Sequence, residues 1–400
     1  MNVMKQVVDV DKVHPGVTAA LLTCSMLILM GGAAITPGLP GIESHFTGNA
    51  NLTSFIITLP HLAVAIVGFL MGVVSDRFGK TRTLIASLLI FILSGVGPYF
   101  LDNIYLILVL RFILGFGLAG IVCTVTSLIG SYYTGGSRVR MLGLQSAAMG
   151  IGVLILELIG GSLADMSWNA PFMVYLIAVP ILILVLLFVR EPKAVEETVS
   201  EDYGKTETDM RMIAACYMAI FIGMIIIFVV PTKMPSYMEG FLGVSATAMG
   251  LFLGFHGLGN ALFSCLHKSI SRKLTSMQLI SISFIVLAVA LVLPYAVAET
   301  VPVCITTLIV SGFAVGLIVP SVVNSVVSAS NDSNRGKMMG IYAVFLNLGQ
   351  FSISLVSIPM FSLAGESYPT MFAMFALISL IMAVIIFALY GTKRRSAQTA

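Results

Sequence analysis

The sequence predicts an all-α integral membrane protein whose twelve transmembrane helices form two pseudo-symmetric six-helix bundles. Three observations lead to this fold class: long apolar runs, positive charge confined to alternate connecting segments, and an internal repeat. Hydrophobic residues make up 58% of the 400 residues, charged residues only 10%, and the mean hydropathy is +1.03. Because a soluble globular domain carries about 25% charged residues, the composition favours a protein that lies within a lipid bilayer.

The apolar runs define the elements. About 20 consecutive apolar residues cross a bilayer as a helix, since a helix satisfies its own backbone groups where no water is available. Twelve such runs, numbered spans 1 to 12, cover residues 17–40, 53–75, 83–101, 105–128, 141–163, 170–189, 212–232, 246–266, 278–297, 302–328, 338–362 and 368–390.

The distribution of positive charge predicts the orientation. Nineteen of the 21 lysines and arginines fall in the terminal segments and in every second connection, and the two exceptions are Arg111 and Lys233. Acidic residues occupy the other connections: Glu43, Asp102, Asp165, Glu239, Glu299 and Glu366. Since positively charged segments stay in the cytoplasm, both termini are expected there. The net charge of +3 therefore reports membrane topology and not nucleic-acid binding.

A polar segment divides the chain into a bundle at 1–190, a cytoplasmic linker at 191–211 and a second bundle at 212–400. Residues of the first bundle recur in the second at an offset near 195, in the pairs Arg138/Arg335, Gly143/Gly340, Gly115/Gly312 and His61/His256. Duplicated halves with a binding site between them near the membrane midplane are typical of secondary transporters.

The connection between spans 2 and 3 carries the strongest motif. Gly72, Asp76, Arg77, Gly79 and Lys80 match five of the six fixed positions of the pattern G-x-x-x-D-R-x-G-R/K-R/K, and Thr81 stands at the sixth. The match resembles the signature loop of the major facilitator superfamily of secondary transporters. This resemblance implies a conformational latch, in which Asp76 binds a helix end or basic residues in the outward-open state and releases them when the site opens inward. A plain basic loop is the alternative.

Two charges are predicted at membrane depth, where an ionisable group usually faces a cavity or a partner. Arg111 lies about seven residues inside span 4 and Glu157 about six inside span 5, so both lie roughly 10 Å below the outer surface. At this depth the two could pair. The run from Arg111 to Gly120 resembles the family motif R-x-x-Q-G-x-G, with Leu114 in place of the glutamine. The resemblance implies a role in proton transfer for Arg111.

Span 5 departs from the family pattern in an informative way. Four glycines resemble parts of the antiporter motif G-x6-G-x3-G-P-x-x-G-G: Gly143 and Gly150 have its first spacing and Gly160 and Gly161 form its final pair, with five residues instead of three after Gly150. Leu156 and Glu157 replace the Gly-Pro of that motif. A carboxyl group at this point is predicted to exchange a proton for substrate. A static Arg111–Glu157 ion pair that holds spans 4 and 5 together is the alternative.

Polar residues on spans 2, 8, 10 and 11 are candidates for a substrate cavity: His61, His256, Asn260, Asn324, Asn347 and Gln350. Each has a structural alternative. For each histidine the preferred interpretation is a satisfied interior position, and amides in membrane helices also form interhelical hydrogen bonds.

These features predict a secondary active transporter that works by alternating access and exports a small amphipathic molecule in exchange for protons. The glycines of span 5 and the ending of span 1, from Ile35 to Ile42, resemble the drug:proton antiporter subgroup. The alternative is an uptake symporter or facilitator for one metabolite. Two observations support it: span 5 lacks the Gly-Pro, and span 1 has no acid between Pro15 and Pro40.

The sequence contains no nucleotide-binding loop, Ser-His-Asp arrangement or metal-ligand cluster. It therefore predicts no enzyme, no cofactor and no metal. The expected partners are a small-molecule substrate, protons and the lipid bilayer, and the resemblance implies a monomer. Short loops and the lack of a targeting extension favour a multi-pass protein of the prokaryotic inner (plasma) membrane. The substrate stays open.

Overall fold

A computed structural model describes residues 13–192, 208–297, 300–331 and 334–391. These ranges contain helices and no strand. The α-helices are α1 (Pro15–Leu27), α2 (Met30–Ala33), α3 (Leu39–His45), α4 (Ala50–Thr53), α5 (Phe55–Phe78), α6 (Lys80–Val96), α7 (Ile104–Tyr132), α8 (Gly135–Ala164), α9 (Ala178–Phe188), α10 (Met210–Leu242), α11 (Ala246–Ile270), α12 (Ser276–Ala296), α13 (Val301–Ala329), α14 (Arg335–Leu363) and α15 (Tyr368–Ile386). Eleven helical segments are long and apolar enough to cross a membrane, or twelve if the bent first segment counts as one span. The predicted all-α membrane fold is confirmed.

The first span differs from the single helix predicted at 17–40. Its axis bends by 53° between α1 and α2, and α3 carries it on to His45. The break has a cause inside the bundle. The carbonyl oxygen of Gly31 accepts hydrogen bonds from the guanidinium of Arg111 and the hydroxyl of Tyr175. Side chains thus satisfy a backbone group at the break, where the helical ladder is interrupted.

Two hydrophobic cores form, one from buried residues between 17 and 189 and the other from buried residues between 213 and 386. We call α1 to α9 the N-terminal half and α10 to α15 the C-terminal half. The predicted linker at 191–211 falls between the two cores. Residues 193–207 of it lie outside the described ranges, and the bundle boundaries stay predictions.

The helices end on two opposite faces of the molecule. One, which we call the basic face, carries Lys80, Arg138, Lys268 and Arg335 at helix ends. The other, the acidic face, carries Glu43, Asp102, Asp165, Glu239 and Glu366. Each long helix runs from one face to the other, so α8 and α11, and likewise α5 and α14, are antiparallel where they join the halves.

Glycines bring the backbones of α8 and α11 into direct contact near the acidic face. A β-carbon on Gly161 would overlap the carbonyl of Ala246, and one on Gly250 would overlap the carbonyl of Glu157. Gly150 lies seven residues before Glu157 on the same stripe of α8 and faces open space. The two helices are therefore in direct backbone contact at the acidic face, whereas Gly150, nearer the basic face, has no such neighbour.

Candidate functional site

Arg111 is completely buried in the N-terminal half, and all of its described bonds are to that half. Its Nε donates to the carbonyl of Ile56 at 2.6 Å, Nη1 donates to the hydroxyl of Tyr175 at 2.7 Å, and Nη2 donates to the carbonyl of Gly31. The guanidinium also lies 5.3 Å from the centre of the Tyr175 ring. It joins the broken first span, the start of α5 and the segment before α9.

The predicted pairing of Arg111 with Glu157 is wrong for this conformation. Both residues lie in the described part of the chain, and no ion pair joins them. The guanidinium is already occupied by two carbonyl oxygens and a hydroxyl. Arg111 and Glu157 have the same predicted depth in the membrane, but the side chain of Arg111 points into the core of its own half.

Glu157 lies on α8 where that helix crosses α11. Its side chain is only 7% exposed, and its Oε2 atom is buried without a hydrogen-bond partner. Gly250 packs directly against the backbone of the same residue. An ionisable group at this depth is expensive and usually functional. The arrangement places an unpartnered carboxyl oxygen at the joint between the halves.

His61 and Asn347 meet across the two halves, on α5 and α14. The Nδ2 of Asn347 donates to the carbonyl of Ala343 at 2.9 Å, so its Oδ1 faces His61 Nδ1 at 3.3 Å. Since an amide oxygen can only accept, the imidazole carries its proton on Nδ1 in this contact. Phe228 packs edge-on against the ring, 5.4 Å between centres. This pair is the part of the predicted cavity that the structure brings together.

Gln350 lies one turn beyond Asn347 on α14, with a weak contact of 3.9 Å from its Nε2 to the sulfur of Met224. Its Oε1 is buried and has no partner among the described residues. A free acceptor beside the His61–Asn347 pair is suited to a hydrogen-bond donor on a ligand.

The other predicted cavity residues lie elsewhere. His256 Nδ1 faces the carbonyl of Leu308 at 3.2 Å and the hydroxyl of Ser311 at 3.0 Å, so it ties α11 to α13. Asn260 accepts from Ser264 on its own helix at 3.2 Å. Asn324 is exposed on α13. No group of three or more metal-ligating side chains occurs in the described ranges.

The signature loop is held by a residue that the motif does not include. Glu191, which follows α9, accepts hydrogen bonds from the backbone N–H of Lys80 at 2.6 Å and of Thr81 at 2.9 Å. These are the first N–H groups of α6, where a carboxylate is favourable. Gly79 joins α5 to α6 at φ +98°, a backbone conformation that favours glycine. Lys80 Nζ donates to Ser131 at 2.8 Å.

Asp76, Arg77 and Gly72 lie free of such contacts in this conformation. The side chain of Asp76 is exposed and makes no hydrogen bond to another described residue. Arg77 lies 5.8 Å from the ring of its neighbour Phe78, and Gly72 faces open space. The predicted latch is therefore not engaged here, and its role stays a prediction.

Acidic residues close the opposite face. Asp165, just after α8, accepts from the backbone N–H groups of Ala246 at 3.0 Å and Thr247 at 3.1 Å. Glu43 on α3 accepts from Ser236 on α10 at 2.7 Å. Each bond joins the N-terminal to the C-terminal half.

Both of these acids lie in predicted outer connections, and their sequence context indicates no role for them. Nothing in the sequence around Asp165 or Glu43 indicates which helix of the other half each acid contacts. For Glu191, its position directly after span 6 was the one available hint.

Comparison with known proteins places these features in context. The family model described as Major Facilitator Superfamily matches residues 21–241 and 213–400. A hexuronate transporter of Bacillus subtilis is 23% identical over 350 residues, which are 81% of this chain and 83% of that protein.

Two efflux proteins match over a shorter length. The multidrug efflux protein YfmO of Bacillus subtilis is 29% identical over 160 residues, 40% of each chain. The class H tetracycline resistance protein of Pasteurella multocida is 30% identical over 193 residues, 47% of this chain and 48% of that protein. The aligned region thus covers less than half the length of each of these two relatives.

Solved structures share the fold. A mutant of the nucleoside transporter NupG is 12% identical with a TM-score of 0.78, over 94% of this chain and all of the other. A D-xylose-proton symporter is 18% identical with a TM-score of 0.74, over 93% and 97%.

Proposed function

Since this chain belongs to the major facilitator superfamily and is a membrane transporter, we propose that it exports a small amphipathic molecule in exchange for protons. The single observation that carries the proposal is the carboxyl group of Glu157, buried and with one oxygen unpartnered where α8 crosses α11. A group in this place meets the requirement for coupling, because its environment changes whenever the two halves separate.

The proposed mechanism is alternating access with the basic face in the cytoplasm, as the positive-inside rule favours. In that orientation the tight contacts between α8 and α11 lie on the outer side, which supports assigning this conformation to the inward-open state. Asp165 and Glu43 hold the outer closure. When they release, α8 and α11 part at the acidic face and Glu157 meets water from the outside. Proton uptake at Glu157 then accompanies substrate release, and the return step delivers the proton to the cytoplasm.

The substrate contacts in this proposal are His61, Asn347 and Gln350. His61 offers an imidazole and Gln350 a buried amide acceptor, and the aromatic ring of Phe228 lies against His61. None of these groups carries a fixed charge, so the site suits a molecule with an apolar body and one or two hydrogen-bonding groups. His256, which ties α11 to α13, and Asn260, which is bonded within α11, are assigned to structural roles.

The test is the accumulation of fluorescent amphipathic compounds in an efflux-deficient host that expresses wild type or Glu157→Gln. Wild type should lower accumulation, a protonophore should reverse this, and Glu157→Gln should abolish the difference. Glu366→Gln removes an exposed acid from the same face and is the matched control, which should export normally. Export by Glu157→Gln that still collapses with the protonophore would assign the proton to another group.

Uptake of a metabolite is the second candidate, favoured by one specific observation. The hexuronate transporter aligns over 81% of this chain, whereas the two efflux relatives align over 40% and 47%. Radiolabelled uronic acids offered to the same cells distinguish the two functions. Proton-dependent accumulation above the control strain would establish uptake, and its absence beside active dye export would establish efflux.

A further inference from the structure

We propose that a pocket at the basic face, outside the joint between the halves, binds the headgroup of an anionic phospholipid. The cavity has a volume of about 530 Å³. It lies between the start of α1, the last residue of α7 and the end of α9. Its polar lining residues are His14, Tyr132 and Arg190, and its apolar ones include Val17, Leu187 and Phe188.

The pocket lies at the level where lipid headgroups are expected. Three helix ends meet there, at Pro15, Tyr132 and Phe188. Tyrosine is enriched at this level because its ring is apolar and its hydroxyl is polar. Leu187, 64% exposed, extends the wall of the pocket towards the hydrocarbon. A ligand with a polar head and an apolar chain therefore finds both environments in the correct order.

Arg190 supplies the positive charge. The hydroxyl of Tyr132 accepts from the backbone N–H of Arg190 at 3.0 Å and donates to its carbonyl at 2.5 Å, which fixes the backbone at the rim. The guanidinium makes no hydrogen bond to another described residue. The adjacent carboxylate of Glu191 is bound to the first turn of α6, so it does not occupy the arginine. Arginine binds phosphate oxygens with several parallel donors.

His14 supplies a second donor. Its Nδ1 accepts from the backbone N–H of Gly16 at 3.0 Å, so in the neutral ring the proton lies on Nε2. The ring stacks on Phe188, with 5.1 Å between centres and 15° between planes. Gly16 permits this approach, because a β-carbon there would overlap the Phe188 ring. The imidazole is thereby held on the pocket wall with a donor free.

The charge of Arg190, the donor of His14 and an apolar wall select a phosphate that carries an acyl chain. Basic pockets at the cytoplasmic ends of membrane helices bind anionic headgroups in this way. Inorganic phosphate would share the polar contacts but leave the apolar wall unused. A phospholipid of net negative charge uses both parts of the pocket.

The experiment is native mass spectrometry of the full chain in detergent, titrated with phosphatidylglycerol or phosphatidylcholine. Wild type should bind phosphatidylglycerol more tightly than phosphatidylcholine, and Arg190→Gln should lower the phosphatidylglycerol affinity about tenfold, as expected for a lost charged hydrogen bond. Arg82→Gln removes an exposed arginine from the same half and face, and it should bind like wild type.

His14→Phe gives an independent check, because it keeps an aromatic ring against Phe188 and removes the donor. It should weaken binding less than Arg190→Gln and preserve the folded helix content. Equal affinities in wild type and Arg190→Gln would overturn the proposal. Displacement of the lipid by millimolar inorganic phosphate would show a free-anion site instead, which would also overturn it.

Discussion

Asp165 binds Thr247 twice, through the backbone N–H at 3.1 Å and through the hydroxyl of the same residue. The two residues belong to different halves of the molecule. The carboxylate lies against the first turn of α11, where the exposed N–H groups and the helix dipole favour a negative charge. One of the bonds that hold the two halves together at the acidic face therefore depends on the charge of Asp165.

Asp165→Asn should weaken this closure while leaving the fold intact. A carboxylate at a helix N-terminus contributes about 0.3–2 kcal/mol, so the fraction of molecules open at the acidic face should rise by a factor of about 2 to 30. Spin labels at Met166 and Phe241, both exposed on that face, report the distance between the halves. Longer distances should gain population in the variant.

The label experiment requires a chain whose five cysteines have been replaced. Asp102→Asn is the control, because Asp102 contacts His45 within the N-terminal half. Unchanged distances in Asp165→Asn would show that the glycine contacts and the Glu43–Ser236 bond hold the face closed without Asp165.

Gly250→Ala should prevent close approach of α8 and α11. Its new methyl group would overlap the carbonyl oxygen of Glu157, and that oxygen belongs to rigid backbone. We expect loss of transport with the protein still in the membrane. Gly150→Ala is the matched control on the facing helix, since its methyl group enters open space. Transport assays of both variants at equal expression give the comparison, and normal transport by Gly250→Ala would contradict the tight crossing.

Arg111→Leu should destabilise the protein severely. The substitution leaves the carbonyls of Gly31 and Ile56 and the hydroxyl of Tyr175 without their charged donor in a buried site, and each such loss costs about 1–3 kcal/mol. Thermal unfolding in detergent should show a large drop in melting temperature and little folded protein. Arg111→Lys should restore part of the stability. A stable Arg111→Leu protein that transports without proton dependence would instead support the coupling role.

Asp76→Asn should have the opposite profile, with reduced transport and unchanged stability. The side chain is exposed and unbonded in the conformation described, and surface substitutions of this kind change the free energy of unfolding by about 0.5 kcal/mol or less. If the latch forms in the other state, its loss slows the return of the transport cycle. Parallel transport and unfolding measurements check this, and normal transport would argue for a plain basic loop.

The spans and the signature loop could be predicted because their signals are local. Twenty apolar residues make a membrane helix wherever they pack, and Gly79 marks the turn between α5 and α6 in any arrangement of the bundle. The sequence indicates that His61 and Asn347 both belong to a cavity, but not that they contact each other.

The prediction that Arg111 pairs with Glu157 was wrong for a reason that counting residues along the chain could not reveal. Counting residues gives the depth of a side chain, but the direction in which it points depends on the packing of neighbouring helices. Helix α7 is apolar on all sides, so no polar stripe marked the direction of Arg111. The break in the first span was missed for the same reason, because its cause is Arg111 and Tyr175 on distant segments.

The contact of Glu191 with the start of α6 has a consequence for dividing the gene. If the two halves are expressed as separate polypeptides, the position of the cut decides which contacts each fragment keeps. A first fragment that ends at residue 189 would lose the carboxylate that caps α6, although every membrane helix of that half would be complete. A fragment that ends at Pro192 keeps the cap, and the signature loop with it.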